Sequence, residues 1–202
     1  LERWGPDLVY LRHGLVYPGL VRLAGRVPCV VEINGDDLAE FRLTSTRRYR
    51  LAKATRGFLL RRAAGLVFVT HELSAMPSFA SYGRPGIVIG NGIDLASVEP
   101  APPTRNERPR LIFVGHARTP WHGVDHVAEL AAAHPTWQID VVGPRPEELG
   151  PDRPGNVVVH GPMDPPGYRP YVESADVAIG TLGLYRKRME EASPLKVREY
   201  LA

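Results

Sequence analysis

The chain closes with Glu191-Ala-Ser-Pro-Leu-Lys-Val-Arg-Glu-Tyr-Leu-Ala202, a stretch that predicts the start of a helix. Ser193 is a favourable N-cap, and Pro194 suits the first helical position because its missing N–H would be unpaired there anyway. The free N–H groups of the first turn, including that of Leu195, would attract an anion. Lys196 adds a full positive charge at the same place. The segment therefore predicts an anion-binding helix start.

Two glutamates flank this helix start. Glu191 lies in the loop before it and Glu199 in its second turn, and both follow a strand predicted to end at Leu182. A carboxylate can bind the paired hydroxyls of a ribose or a sugar, while the helix start and lysine bind phosphates. The set suits a nucleotide-diphosphate ligand, and the alternative is an ordinary capped surface helix with solvated glutamates.

The composition is that of a globular protein. The chain has 202 residues, of which 44% are hydrophobic and 23% charged, so one large or two small domains are expected. No apolar run is long enough to span a bilayer, and no signal peptide is visible. The net charge of +3 favours anionic partners. We expect no nucleic-acid partner.

A single cysteine, Cys29, excludes an internal disulfide and lies in a predicted buried strand. A reducing cytoplasm fits this usage. The phosphate loop of ATPases and the Gly-x-Gly-x-x-Gly motif of nicotinamide-linked dehydrogenases do not occur in the sequence, which argues against both classes.

Strand and helix patterns alternate along the whole chain, which predicts parallel α/β sheets of the Rossmann-like kind. Predicted strands cover 8–12, 28–33, 65–70, 86–90, 110–115, 137–143, 156–161 and 177–182. Predicted helices cover 18–26, 44–64, 72–82, 123–134, 168–175 and the stretch from 194, with a short one near Glu147.

The polar, proline-rich stretch 99–109 is the best candidate for a linker. It divides the chain into a first domain over 1–98 and a second over 110–202. The chain begins without methionine and stops inside a predicted helix, so we expect an internal piece of a longer protein, with both domains incomplete.

The predicted helix over 44–64 carries seven basic residues and no acid, and these charges spread around a helical wheel. A solvated helix is one interpretation. A peripheral membrane contact through the stretch from Arg47 to Arg62, with anionic lipid or a lipid-linked acceptor, is the other. The expected location is therefore the cytoplasm, with membrane association left open.

Several segments resemble glycosyltransferase family 4, in that family's order. They cover most of residues 86–202. The matching segments are Val88-Ile-Gly-Asn-Gly-Ile-Asp94, Phe113-Val-Gly115, Pro120-Trp-His-Gly-Val-Asp125, Tyr171-Val-Glu-Ser-Ala-Asp-Val-Ala178 and the paired-glutamate segment 191–202.

The resemblance implies a GT-B fold, with two Rossmann-like domains facing a cleft. It also implies a retaining, metal-independent, hexosyltransferase-like enzyme that transfers a sugar from a nucleotide-diphosphate donor, without a further cofactor. By similarity, Glu199 binds the donor ribose and Glu191 contacts the sugar near its anomeric carbon. Lys196 and the amides after Ser193 lie near the diphosphate. The acceptor is a glycan, a lipid-linked molecule or a small molecule.

The loop after the strand that ends at Gly115 supplies basic phosphate ligands in that family. Here it offers Arg118 and His122, and His122 stands where lysine is usual. A histidine is a weaker and pH-dependent cation, so Arg118 is a candidate to replace it. Gly115 itself lies at a strand end, where a ligand can approach the backbone closely. His122 and His126 have the spacing of two metal ligands on a helix but lack a third, so no metal is assigned.

Candidate acceptor-side residues follow the first two strands. His13 ends the first of them, and Asn34 stands near the position of the family's acceptor-loop histidine. Asp36 and Asp37 come next, and either one can orient an acceptor hydroxyl or cap a loop.

Two other functions remain open from the sequence. One is a non-catalytic nucleotide-sugar-binding subunit, and the other is a nucleotide-sugar epimerase on the same fold. The family resemblance further implies a missing glycine-rich loop that contacts the donor. We therefore expect the 202-residue chain to be inactive, or nearly so, by itself.

Overall fold

Two parallel β-sheets form the framework of the protein, one in each of two units. The structure is a computed structural model that describes residues 4–202. The first unit extends to Asn91 and takes in Met189–Ser193, and the second comprises Gly92–Arg188 and Pro194–Ala202. We call Met189–Ser193 the return segment, because the chain comes back to the first unit there. The stretch predicted as a linker, 99–109, falls within the second unit.

The first unit has a four-stranded sheet in which strands follow one another in chain order, β1-β2-β3-β4, all parallel. Mainly apolar runs explain the central strands, since both faces of a parallel sheet are covered. The strands are β1 Val9–Arg12, β2 Cys29–Ile33, β3 Gly65–Phe68 and β4 Gly86–Val88. The helices are α1 Pro18–Ala24, α2 Asp37–Thr44, α3 Thr46–Leu60, α4 His71–Ala75 and α5 Pro77–Ala80.

The second unit has a parallel sheet of different order, β7-β6-β5-β8. Its core is built from Leu111, Phe113, Val127, Ala131, Ile139, Val141, Val157 and Ile179. The strands are β5 Arg110–Val114, β6 Gln138–Val142, β7 Val157–Gly161 and β8 Val177–Ile179. The helices are α6 Val124–Ala133, α7 Pro165–Glu173 and α8 Leu195–Leu201, with 3-10 turns at Leu95–Ser97, Pro120–His122, Pro146–Glu148 and Leu184–Lys187.

All eight predicted strands are present, but one helix was missed and several predicted helices were wrong in extent. The helix predicted over 44–64 is α3, which begins at Thr46 because Ser45 is extended (φ −163°) and its hydroxyl accepts the N–H of Arg48 as the N-cap. The helix before it, α2, was not predicted. The helix predicted over 72–82 breaks at Met76, which precedes Pro77. A residue before proline is pushed out of the helical region, and Met76 has ψ 127°.

Helix α7 starts earlier than the predicted Tyr168. Asp164 caps it by accepting the N–H of Gly167, and Pro165 takes the first position.

The predicted N-cap of the last helix was also wrong. Helix α8 begins at Leu195, and Pro194 occupies the cap position without a side-chain bond. The hydroxyl of Ser193 instead accepts the backbone N–H of Asn91 at 3.0 Å, and its carbonyl accepts Asn91 Nδ2 at 2.5 Å. The Ser193 hydroxyl, which the local pattern assigns to the cap of α8, is thus bound by Asn91, a residue distant in the sequence.

A buried carboxylate holds the second sheet together from the middle of β6. Asp140 is 1% exposed and accepts Arg110 Nε at 2.7 Å and His160 Nε2 at 2.6 Å. Burial raises the pKa of Asp140, but the bonds from Arg110 and His160 outweigh it, so the pKa lies below its ordinary value. The three side chains tie β5, β6 and β7 to one another.

We expect Asp140→Ala to lower the free energy of unfolding by about 1–3 kcal/mol, because it strips the partly buried Arg110 guanidinium and His160 imidazole of their shared partner. The contribution of Asp140 is complete above its unfolded-state pKa and is lost as the pH falls through the lower folded-state pKa. Urea unfolding at several pH values measures this. The exposed Asp152→Ala is the control, and equal stability of the two variants at pH 7 would contradict the assignment.

Candidate functional site

The strand order of the second sheet reverses at β5. The chain leaves β5 for β6 and β7 on one side and returns to β8 on the other. In open parallel sheets, ligands bind outside the carboxyl ends of the strands at such a switch point. The residues after Val114 and Ile179 therefore mark the expected site in this unit.

Lys196 lies at this switch point. Its ammonium donates to the carbonyl of Val114 at 2.8 Å and to that of Gly180 at 3.4 Å, at the ends of β5 and β8. The same group lies 4.7 Å from the centre of the buried Phe113 ring. Burial lowers the pKa of Lys196 to about 8, so the side chain is still charged at pH 7. An ammonium has three N–H donors, and two of them are engaged with these carbonyls.

His122 is a neutral hydrogen-bond donor at the same place. Its Nδ1 accepts the backbone N–H of His116 at 3.1 Å, so the ring proton resides on Nε2. Burial, and then the charge of Lys196, lowers the pKa of His122 to about 4. The sequence suggested a pH-dependent cation here, but burial, and after it the charge of Lys196, keeps the His122 ring neutral at pH 7.

Two glycines allow close packing at the ends of β5 and β6. A Cβ on Gly115 would lie 2.7 Å from the Phe113 ring and 2.9 Å from His122 Nδ1. Gly143 has φ +105°, and a Cβ there would lie 1.8 Å from the carbonyl oxygen of Gly115. Only glycine fits at Gly143, so the two strand ends pack closely against each other there.

A cavity of about 510 Å³ opens beside these strand ends. Arg118 lines it together with Gly143 and Glu148, and the guanidinium is 93% exposed, with Nε 3.7 Å from Glu148 Oε1. The predicted residues Gly115, His122 and Lys196 therefore cluster at the switch point, and Arg118 lies on the wall of the adjoining cavity.

Glu199 faces a different cavity. Its Oε2 accepts the hydroxyl of Tyr168 at 2.9 Å, and both side chains line a cavity of about 840 Å³. Burial and the bond to Glu199 raise the pKa of Tyr168 to about 12, so the phenol stays a donor. Leu195, at the first position of α8, is exposed.

Glu191 belongs to the return segment and thus to the first unit. Its Oε2 accepts the backbone N–H of Glu72 in α4 at 3.0 Å. Ser193, in the same segment, is bound by Asn91 just after β4. The return segment is thereby attached beyond the carboxyl ends of β3 and β4.

Two of the predicted acceptor-side residues are buried. His13 Nε2 lies 3.2 Å from Asp37 Oδ2, and Arg56 lies 3.1 Å from Asp37 Oδ1, with each side chain at most 8% exposed. Arg56 also stacks on Phe79, 4.5 Å from its centre. The sequence pattern placed Arg56 among the solvated charges of α3. That was wrong, because Arg56 is buried and is paired with Asp37.

The other two acceptor-side candidates lie nearer the surface. Asp36 caps α2, accepting the N–H groups of Leu38 and Ala39. Asn34 donates to the Glu32 carboxylate, which also accepts the hydroxyl of Tyr10 at 2.7 Å. The Tyr10 bond, followed by the Asn34 bond, lowers the pKa of Glu32. Asn34 thus lies in a polar cluster at the carboxyl end of β2, and its role toward an acceptor stays a prediction.

Within residues 4–202, no three His, Cys, Asp or Glu side chains are grouped to hold a metal ion. His126, half of the spaced histidine pair, contacts Glu129 and the Tyr185 hydroxyl at 2.8 and 2.9 Å. No helix in the described chain is long and apolar enough to cross a bilayer.

Two residues at the site were not identified from the sequence. Glu72, in the first turn of α4, binds the return segment, and a Thr-His-Glu pattern after a strand signals only an acidic helix start. Asn91 binds Ser193, and its place after β4 signals only a turn. Their partners lie about a hundred positions further along the chain, which no local pattern encodes.

Comparisons with known proteins give a fold. No protein-family model matches the chain, and no curated protein does. Sucrose-phosphate synthase of Thermosynechococcus elongatus matches with a TM-score of 0.65 at 15% identity, over 91% of this chain and 53% of that one. Anabaena HepE in complex with UDP and glucose matches with a TM-score of 0.54 at 17% identity, over 87% and 52%.

The chain thus spans about half the length of these solved structures. The likeness, together with the two parallel four-stranded sheets, confirms the GT-B-like α/β fold class predicted from the sequence.

Proposed function

We propose that this chain is part of a retaining, metal-independent glycosyltransferase similar to family 4. The enzyme would transfer a sugar from a nucleotide-diphosphate donor to an acceptor hydroxyl. The observation that carries the proposal is the Lys196 ammonium, held at the switch point of the second sheet between the carbonyls of Val114 and Gly180. The HepE complex contains UDP on a similar fold, which supports a nucleotide diphosphate as the ligand class.

The departing diphosphate needs positive charge when its bond to the sugar breaks. Lys196 has a donor left for a phosphate oxygen, and the neutral His122 offers Nε2–H beside it. Arg118 is exposed and supplies a mobile full charge from the wall of the adjoining cavity. Donors fixed before the reaction lower the barrier most, since no reorganisation is needed as charge develops.

The net reaction balances without a cofactor. The acceptor oxygen bonds to the anomeric carbon, the bond from that carbon to the phosphate oxygen breaks, and the hydroxyl proton is released with the nucleoside diphosphate. In the first unit, Glu191 is proposed to contact the sugar near the anomeric carbon. In the second, Glu199 is proposed to bind the ribose hydroxyls.

Helix α3 supports a second proposal, contact with an anionic lipid surface. Arg47, Leu51 and Phe58 lie within about 40° of one another around the helix. Leu51 and Phe58 are about half exposed, and Arg61 and Arg62 flank Phe58. The buried Arg56 lies on the opposite side of the helix. The exposed basic residues around Phe58 form one face, with the apolar side chains of Leu51 and Phe58 at its centre. Such a face fits the headgroup region of a membrane.

We expect Lys196→Gln to weaken binding of the preferred nucleoside diphosphate about tenfold, which is about 1.4 kcal/mol. Calorimetry with UDP, ADP and GDP first identifies that ligand. Wild-type affinity should fall as the pH rises through about 8, where Lys196 loses its charge. Lys196→Arg should abolish that fall, because its guanidinium stays charged.

Lys53→Gln, an exposed lysine in the first unit, is the matched control. Unchanged affinity in Lys196→Gln would remove Lys196 from the site. If none of the three nucleotides binds, the nucleotide-diphosphate proposal fails.

For Glu199→Ala we expect a loss of about 1–3 kcal/mol in nucleotide binding, because hydrogen bonds from the ribose would go unmade. The same substitution should cost little with the 2′,3′-dideoxy form of the nucleotide, which has no hydroxyls to bind. Exposed Glu107→Ala is the control. An equal loss with both nucleotides would assign Glu199 a structural role through Tyr168.

If helix α3 binds an anionic lipid surface, the protein should sediment with vesicles of phosphatidylglycerol. It should not sediment with vesicles of phosphatidylcholine alone. Arg47→Glu and Phe58→Ser should each reduce it at least fivefold, since each basic residue near such a surface contributes about 1 kcal/mol. Arg153→Glu, an equal charge change in the second unit, should have little effect. Equal binding by all variants would show that helix α3 is not the membrane-binding surface.

A further inference from the structure

Two glutamates of the first unit bind each other's backbone. The carboxylate of Glu72 accepts the N–H of Glu190 and that of Glu191, with Oε2 at 3.0 and 2.8 Å. In return, Oε2 of Glu191 accepts the N–H of Glu72 at 3.0 Å. Hydrogen bonds to an ionised carboxylate are stronger than neutral ones, so this reciprocal pairing fixes both chain segments.

The start of α4 explains why Glu72 offers its N–H. The first N–H groups of a helix have no partner within it. Thr70 Oγ1 accepts the N–H of Leu73 at 3.2 Å, and Glu191 accepts that of Glu72. The Glu191 side chain thus completes the cap of α4.

The return segment is attached at both ends. Met189 and Ser193 are buried, whereas the residues between them are exposed. Asn91 binds Ser193 through two hydrogen bonds, at 3.0 and 2.5 Å. Arg188, the residue before the segment, has φ +56°, a conformation uncommon for a side chain of its kind. Such a backbone is maintained where the surrounding contacts determine it.

We propose that Glu72 is a positioning residue for Glu191. This rests on the proposed function, in which Glu191 contacts the transferred sugar. Glu72 acts through the backbone of Glu190 and Glu191 and does not touch substrate. Its own N–H holds Oε2 of Glu191, and we assign Oε1 to the sugar.

The size of the effect follows from geometry. A displacement of about 1 Å at a reacting centre can lower a rate by about a hundredfold, even when the altered residue is remote from the chemistry. Donor affinity depends chiefly on the diphosphate contacts of the second unit under the proposed function. Loss of the Glu72 carboxylate should therefore lower kcat and leave KM for the donor nearly unchanged.

The test compares Glu72→Ala, Glu72→Gln and Glu190→Ala in the intact protein. Glu72→Ala should lower kcat by about 10- to 100-fold, with KM for the donor within about twofold. Glu72→Gln keeps an oxygen acceptor and should recover part of the loss. Glu190→Ala removes a carboxylate from the same segment but keeps every backbone N–H, so it should behave as wild type.

Amide hydrogen exchange supplies a readout independent of activity. The N–H groups of Glu190 and Glu191 should exchange faster in Glu72→Ala and at the wild-type rate in Glu190→Ala. A variant with unchanged melting temperature and faster exchange but wild-type kcat would overturn the positioning role. Unchanged exchange rates would show that the Glu72 carboxylate does not hold these two N–H groups, which would also overturn the positioning role.

Failure of the proposed function has a different signature. If the intact wild-type protein transfers no sugar from the nucleotide sugars tested, Glu191 has no sugar to contact, and the positioning role falls with the function. The exchange rates would still show whether Glu72 holds the return segment.

Discussion

The Lys196 ammonium, bound to the carbonyl oxygens at the ends of β5 and β8, is the contact on which the proposed site of the second unit depends. These two strands are neighbours in the sheet but far apart in the chain. A cation bridging them is at the switch point, where the fold leaves room for a ligand. Its pKa of about 8 results from burial, so the charge is preserved at neutral pH but is sensitive to what lies beside it. An anionic ligand would favour the charged form, which makes the position suited to a diphosphate.

The first unit contributes by a different means, the attachment of the return segment. Glu72 and Asn91 provide carboxylate and amide partners for backbone groups that a loop would otherwise expose to water. The result is a short exposed stretch with buried ends, carrying Glu191 beyond the carboxyl ends of β3 and β4. Both units thus use the same property of parallel sheets, whose strands end together at one edge.

The sequence predicted the strands well because each is a short apolar run bounded by turn residues, as in Val31 and Ile33 of β2. It predicted the helices less well: α2 was missed, and the helix predicted over 72–82 breaks at Met76, before Pro77. Ser193 shows the same difficulty, because its hydroxyl bonds Asn91 and not the adjacent helix. Motif and strand position predicted that Lys196 and Gly115 lie at the strand ends. The contacts of Glu72 and the buried pair of Asp37 with Arg56 are made only after folding and left no local signal.

The most direct test of the account is a map of backbone amide chemical shifts in the 202-residue chain as UDP is added. We expect the largest changes at Gly115, His116, Gly143 and Lys196, around the ends of β5, β6 and β8. Changes centred instead on Asn106 and Gln138, at the opposite ends of β5 and β6, or none at millimolar UDP and at equal concentrations of ADP and GDP, would contradict a nucleotide-diphosphate site at the switch point.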